Sequence, residues 1–223
     1  MNILLLGIGN VLWADEGFGV RVIERLQKYY RFPDNVKVID GGTQGVYLVE
    51  YVQAADVLVV FDAVDYGLPP ATLKRIANDD VPNFLGARKM SLHQTGFQEV
   101  LAMAQMLGQY PEHLLLVGVQ PEELDDYGGS LRPSVKAQIQ PAIDMALSYL
   151  QSFGISTEKT DATSDLTDPV LNMQRYEQER PAADEACRIG DERILQSGVF
   201  AVRPPQATGQ SSLQVDVDYR GKY

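Results

Sequence analysis

Short runs of apolar residues alternate with helical patterns over the first two thirds of the chain. The clearest runs are Asn2–Gly7, Val57–Phe61 and Leu114–Val119, and continuous runs of this length are typical of strands buried on both faces of a parallel sheet. Between them, apolar residues recur at helical spacing, as in Val20–Leu26 and Gly96–Leu107. This alternation predicts an α/β fold, a three-layer sandwich in which a mostly parallel twisted sheet is flanked by helices.

Weaker patterns predict four further elements. They are strands at Val36–Ile39 and Ala71–Ile76, a helix at Val46–Val52 and a closing helix at Pro133–Phe153. A proline suits the first turn of a helix, where Pro133 stands. Pro141 lies inside the helical pattern and is expected to kink it, because proline cannot donate the backbone hydrogen bond.

The apolar pattern stops after residue 154. Residues 1–154 are therefore predicted to form one α/β domain, and residues 155–223 a polar C-terminal extension. Much of that extension, including Thr157–Arg180, is rich in Asp, Thr, Glu and Gln and poor in large apolar residues, which predicts that it is largely disordered. The alternative for its later part is a short docked segment at Val199–Pro205, which would grip a partner.

The charge and the cysteine content restrict the function. A net charge of -11 argues against a nucleic-acid partner and against docking on an anionic membrane, since both require a basic surface. Carboxylates can nevertheless bind metal ions. With Cys187 as the one cysteine, neither an intramolecular disulfide nor a zinc site of paired cysteines is expected. No signal peptide or membrane span is predicted, so the expected location is the cytoplasm.

Three polar residues follow predicted strands or precede a predicted helix. Glu16 comes after the first strand, Asp62 ends the strand Val57–Phe61, and His93 stands just before the helix Gly96–Leu107. In open α/β sheets, ligands gather outside the carboxyl ends of the strands, so we expect these side chains to meet there. Two carboxylates and an imidazole form a suitable partial shell for a divalent transition metal with positions open for a substrate.

Each of these residues also has a structural interpretation. Glu16 could interact with the dipole of the helix that follows it. Asp62 could have a structural partner, although a carboxylate at the end of an apolar strand is costly to bury and so favours a functional role. His93 alone is at least as well explained as a hydrogen-bonded structural histidine.

Other kinds of site find less support in the sequence. Gly7-x-Gly9 after the first strand is similar to a dinucleotide fingerprint, but Leu12 occupies the position of the third glycine. Neither a Gly-x-Ser-x-Gly elbow nor a His-Glu-x-x-His zinc motif occurs. Cys187 lies in the polar extension without a histidine nearby in the sequence.

Five segments together resemble the hydrogenase maturation endopeptidases. They are Gly7–Gly19, Asp40–Thr43, Phe61–Asp65, Ser91–Gln94 and Leu116–Pro121, in the order in which the family has them. The resemblance spans residues 1 to about 153. It identifies residues 1–154 as the peptidase domain and implies a phosphorylase/hydrolase-like fold.

The resemblance also implies a substrate and a chemistry. The substrate is the nickel-loaded precursor of a nickel–iron hydrogenase large subunit, from which the enzyme removes a short C-terminal peptide. Glu16, Asp62 and His93 match the metal-binding residues of the family, and Asp40 matches, weakly, an acid near the substrate. The nickel would be supplied by the precursor.

The identity of the catalytic group stays open at this point. Asp62 or Glu16 could activate water, and the family is sometimes grouped with the aspartic endopeptidases, but no catalytic dyad is evident in the sequence. Two alternatives to the peptidase remain: a non-catalytic chaperone that checks the precursor for nickel, and, with less support, a nucleotide-binding α/β enzyme.

Overall fold

The computed structural model describes residues 1–81, 92–161 and 171–179, with only the backbone of residues 92–96. The helices are α1 (Phe18–Tyr29), α2 (Val49–Gln53), α3 (Leu92–Met106), α4 (Pro133–Lys136), α5 (Ile139–Gln151) and α6 (Met173–Glu179), with 3-10 turns at Ala14–Gly17 and Gly45–Leu48. The strands are β1 (Ile3–Ile8), β2 (Tyr30–Arg31), β3 (Val36–Gly42), β4 (Val57–Ala63), β5 (Leu73–Ala77), β6 (His113–Val119) and β7 (Glu158–Lys159). Within the described ranges, no helix is long and apolar enough to cross a membrane.

The central sheet has five strands in the order β3-β1-β4-β6-β5. β1 pairs in parallel with β3 and β4, and β4 pairs in parallel with β6. β5 is an antiparallel edge strand on β6. The connection from β4 to β5 contains no helix, and a parallel neighbour would have required a crossover. The prediction of a mostly parallel sheet is confirmed.

Apolar residues on both faces of this sheet form two separate cores. On one face, Leu5, Val59 and Val117 pack with residues of α1 and α5. On the other face, Leu6 and Val60 pack with residues of α2 and α3. Successive strand residues point to opposite faces, so a strand buried on both sides must be continuously apolar. The predicted three-layer sandwich is therefore confirmed.

The predicted closing helix Pro133–Phe153 is wrong as a single element. The structure has α4 and α5 instead, separated at residues 137 and 138. Pro141 lies in the first turn of α5, where its missing N–H removes no intrahelical bond. The interruption thus falls at Ala137, before the proline. In a continuous helix, residue 141 would donate its N–H to the Ala137 carbonyl, and proline has no N–H to donate.

Two described pieces of the extension contact the rest of the chain. β7 pairs antiparallel with β2. Near α6, the backbone N–H of Met173 donates to Glu24 Oε1 over 3.1 Å, and the Arg21 guanidinium donates to the carbonyl of Leu171 over 2.5 Å. The residues around Val199–Pro205 lie outside the described part of the chain. A largely disordered extension that begins at residue 155 stays a prediction.

Candidate active site

The carboxyl ends of β1, β3, β4 and β6 lie at the same edge of the sheet, because these strands run parallel. Glu16 follows β1, Asp40 lies near the end of β3, and Asp62 lies near the end of β4. α3 leads to the amino end of β6, so its first residues face this same edge. The topology therefore brings the elements that carry the predicted site residues to one edge.

Glu16 belongs to the 3-10 turn that fills the space between β1 and α1. Its side chain is half-buried, and its N–H donates to the carbonyl of Trp13 over 2.9 Å. Gly9, with φ of 136°, lies directly against it, since a Cβ on Gly9 would come within 1.8 Å of the Glu16 carbonyl oxygen. Only glycine permits both this conformation and this contact.

The last glycine of the opening motif brings α1 close to the sheet. A Cβ on Gly19 would lie 2.1 Å from the Phe61 carbonyl oxygen and 2.4 Å from that of Ile8. The glycine-rich turn thus has a packing role that involves no phosphate. This gives the similarity to a dinucleotide fingerprint a structural explanation.

Asp62 is buried, with 3% of its surface exposed, at the second-last position of β4. Strand alternation places it on the same face as Leu58 and Val60, the face covered by α2 and α3. Its partner across the sheet is Gly118 of β6, which has no side chain there. Asp62 therefore lies at the carboxyl edge, beneath the layer that contains α3.

His93 is the second residue of α3, and its side chain lies outside the described part of the structure. The described apolar residues of α3, including Phe97, Val100 and Ala104, pack on the same face of the sheet as Asp62. Among the described residues, no three His, Cys, Asp or Glu side chains are grouped to hold a metal ion. The predicted set of Glu16, Asp62 and His93 thus stays a prediction, and its donor atoms suit nickel.

Asp40 lies at the same edge but on the opposite face, near Arg21 and Glu24 of α1. Its Oδ1 accepts a hydrogen bond from the N–H of Gly42 over 2.9 Å. Burial raises the pKa of Asp40 above its ordinary value, while the Gly42 hydrogen bond and the charge of Arg21 lower it less. The structure does not bring Asp40 onto the face that carries Asp62, and its contact with a substrate stays a prediction.

Asp15 is a structural residue that the sequence analysis did not single out. It is fully buried, and its carboxylate accepts hydrogen bonds from the backbone N–H groups of Glu122, Glu123 and Arg132 over 2.9, 2.9 and 2.7 Å. It therefore fastens the loop after β6 to the turn that carries Glu16. The one sequence signal was a pair of adjacent acids, which does not show which of them points inward.

Gln120, immediately after β6, also joins two segments of the chain: the end of β6 and the loop that follows β4. Its Oε1 accepts hydrogen bonds from the N–H groups of Tyr66 and Leu68 over 2.7 and 3.2 Å. Its Nε2 donates to Asp65 Oδ1 over 3.0 Å. Gln120 thereby fixes the loop that follows β4, the strand that carries Asp62.

Comparisons with known proteins agree with this geometry. The sequence model of the hydrogenase maturation protease family matches residues 20–149. The hydrogenase expression/formation protein HupD of Thiocapsa roseopersicina is 64% identical over 200 residues, which cover 88% of this chain and 90% of HupD. The hydrogenase 2 maturation protease of Escherichia coli K12 is 39% identical over 166 residues, covering 74% of this chain and all of that protein.

A solved structure is similar over the same region. The hydrogenase maturating endopeptidase HybD from E. coli superposes with a TM-score of 0.68 at 38% identity, covering 71% of this chain and 98% of HybD. The sequence resemblance and the prediction of an endopeptidase are confirmed by these matches. The chain therefore belongs to the hydrogenase maturation protease family.

Proposed function

We propose that this protein is the endopeptidase that removes a C-terminal peptide from the nickel-loaded precursor of a nickel–iron hydrogenase large subunit. The observation that carries the proposal is the family match over residues 20–149, together with 64% identity to HupD over most of both chains. The buried carboxylate of Asp62 and the half-buried Glu16 at one sheet edge support a site that recognises a metal-bearing substrate.

In this proposal the nickel belongs to the substrate. Glu16, Asp62 and His93 would add ligands to a nickel ion that the precursor already holds, which would align the scissile peptide bond with the edge of the sheet. A bound metal of this kind can polarise a carbonyl group or acidify a water molecule. Asp62 and Glu16 are the two candidates for the group that accepts a proton from the attacking water.

The expected partner follows from the same proposal. It is the precursor polypeptide, and the acidic charge of -11 makes nucleic acid and anionic lipid unsuitable partners. A single cysteine among 223 residues suits the reducing cytoplasm in which we place the reaction.

Mass spectrometry of the precursor tests the proposal. The precursor, with and without nickel, is incubated with the full-length protein, and its mass is measured over time. Loss of a C-terminal peptide from the loaded form alone would support both the peptidase activity and the nickel requirement. Stable binding with no mass change would contradict the peptidase and indicate a nickel-checking chaperone. Equal cleavage of both forms would contradict the nickel requirement.

A further inference from the structure

A row of three residues crosses the sheet beside the proposed site. Asp62 of β4 is in register with Gly118 of β6, which is in register with Lys74 of β5. Strand alternation places all three on the face covered by α2 and α3. The middle position of this row has no side chain, so it leaves a space beside the Asp62 carboxylate.

The hydroxyl group of Tyr66 fills that space. A Cβ on Gly118 would lie 1.8 Å from Tyr66 Oη and 2.8 Å from its Cζ. Tyr66 is only 3% exposed, and Lys74 Nζ lies 5.1 Å from the centre of its ring. A glycine at position 118 is thus required for the Tyr66 hydroxyl to occupy this place beside the sheet.

The backbone around Tyr66 is fixed as well. Its N–H donates to Gln120 Oε1 over 2.7 Å, and Gln120 lies just after Gly118 in the chain. The ring and the backbone of Tyr66 are therefore both held against the end of β6. A side chain held at both points has little rotational freedom, which suits a group that orients a neighbour.

The position of the hydroxyl places it beside Asp62. Tyr66 Oη lies where a Cβ on Gly118 would stand, and Gly118 is the direct cross-strand partner of Asp62. A phenol can donate a hydrogen bond to a carboxylate, and a donor beside a carboxylate can orient it.

We propose that Tyr66 is a positioning residue that orients the Asp62 carboxylate toward the nickel-bearing precursor, with Gly118 providing the space for its hydroxyl. The proposal rests on the function proposed above. Groups that orient metal-binding side chains commonly change metal affinity or activity by about 10-fold to 100-fold when they are removed. The expected role of Tyr66 is of this kind, and it acts on substrate only through Asp62.

The test compares Tyr66→Phe with Tyr110→Phe. Both substitutions remove one buried hydroxyl from a tyrosine that packs on the same apolar core, but Tyr110 precedes the amino end of β6. We expect Tyr66→Phe to lower kcat/KM for the loaded precursor by about 10-fold to 100-fold, and to weaken the binding of Ni²⁺ alone by a similar factor. Tyr110→Phe should leave both values as in the wild type.

A second variant approaches the same contact from the other side. Gly118→Ala should displace the tyrosine hydroxyl and reproduce the loss, and adding it to Tyr66→Phe should cost less than the two separate losses combined. Wild-type cleavage and Ni²⁺ binding by folded Tyr66→Phe would overturn the role of Tyr66 alone. A wild-type protein that neither cleaves the precursor nor binds Ni²⁺ would overturn the proposed function and this inference together.

Discussion

Asp15 and Asp62 are both buried, with 0% and 3% of their surface exposed, at the carboxyl edge of the same sheet. The carboxylate of Asp15 is enclosed by three backbone N–H donors from the loop after β6. Asp62 instead lies on a strand, opposite Gly118 and near the Tyr66 phenol. Burial alone therefore does not identify a functional carboxylate. The acid that holds a loop, Asp15, is hydrogen-bonded by backbone N–H groups. The acid proposed for chemistry, Asp62, lies near the end of a strand and beside the side chain of Tyr66.

The largest effect is expected from Asp62→Asn. The amide has nearly the shape of the carboxylate but carries no charge and is a poor metal ligand, so cleavage of the nickel-loaded precursor should fall below detection. The free energy of unfolding should change by less than about 1 kcal/mol, because the packing of β4 is retained. Cleavage assays and urea denaturation of the same preparation measure the two quantities. A folded, fully active Asp62→Asn protein would contradict the assignment of this residue.

Asp15→Ala, in contrast to Asp62→Asn, should act mainly on the stability of the protein. The substitution leaves three backbone N–H groups without their acceptor, which should cost about 2 to 4 kcal/mol of unfolding free energy. Asp15→Asn retains one acceptor oxygen and should lie between the wild type and Asp15→Ala. Urea denaturation gives the ranking, and an unchanged midpoint for Asp15→Ala would contradict the structural role.

The contrast between these two acids also shows what the sequence could predict. Continuous apolar runs such as Val57–Phe61 identify buried parallel strands, and the edge where such strands end follows from topology. That was enough to place Asp62 correctly near the end of β4. Two adjacent acids, Asp15 and Glu16, give no periodic signal inside a 3-10 turn, so their orientations had to come from the structure.

Contacts between distant parts of the chain were likewise not predictable. Tyr66 reaches the space over Gly118 because the loop after β4 is tied to Gln120, and no local pattern encodes that pairing. The position of Asp40 shows the same limit. It shares the sheet edge with Asp62, but the alternation along β3 turns it toward α1.

Asp40 provides a smaller and pH-dependent test. Its folded pKa is raised above the ordinary value of 3.8, so the folded state binds the proton more tightly than the unfolded state does. This contribution to stability is complete below 3.8 and is lost as the pH rises through the folded pKa. Asp40→Asn should therefore be more stable than the wild type at neutral pH, and this advantage should disappear in acid. Thermal unfolding of both proteins, measured from acid to neutral pH, gives this difference in stability. A wild type that is more stable than Asp40→Asn at neutral pH would contradict the predicted direction.

The smallest effect is expected where the extension contacts the domain. Glu177 of α6 accepts hydrogen bonds from Ser130 Oγ over 2.8 Å and from Lys136 Nζ over 2.7 Å. The Lys136 and Glu177 side chains are 40% and 27% exposed, so solvent screening should limit the loss in Glu177→Gln to less than about 1 kcal/mol. Precursor cleavage should be unchanged.

The matched control is Glu179→Gln, which removes a more exposed ion pair within α6, between Arg175 and Glu179. It should have no resolvable effect, because exposed pairs within a helix contribute a few tenths of a kcal/mol. Hydrogen exchange of the α6 amides distinguishes the two variants: faster exchange only in Glu177→Gln would show that α6 is held by its contacts with the domain. Equal exchange in both variants would mean that the contacts of Glu177 with Ser130 and Lys136 do not hold α6 in place.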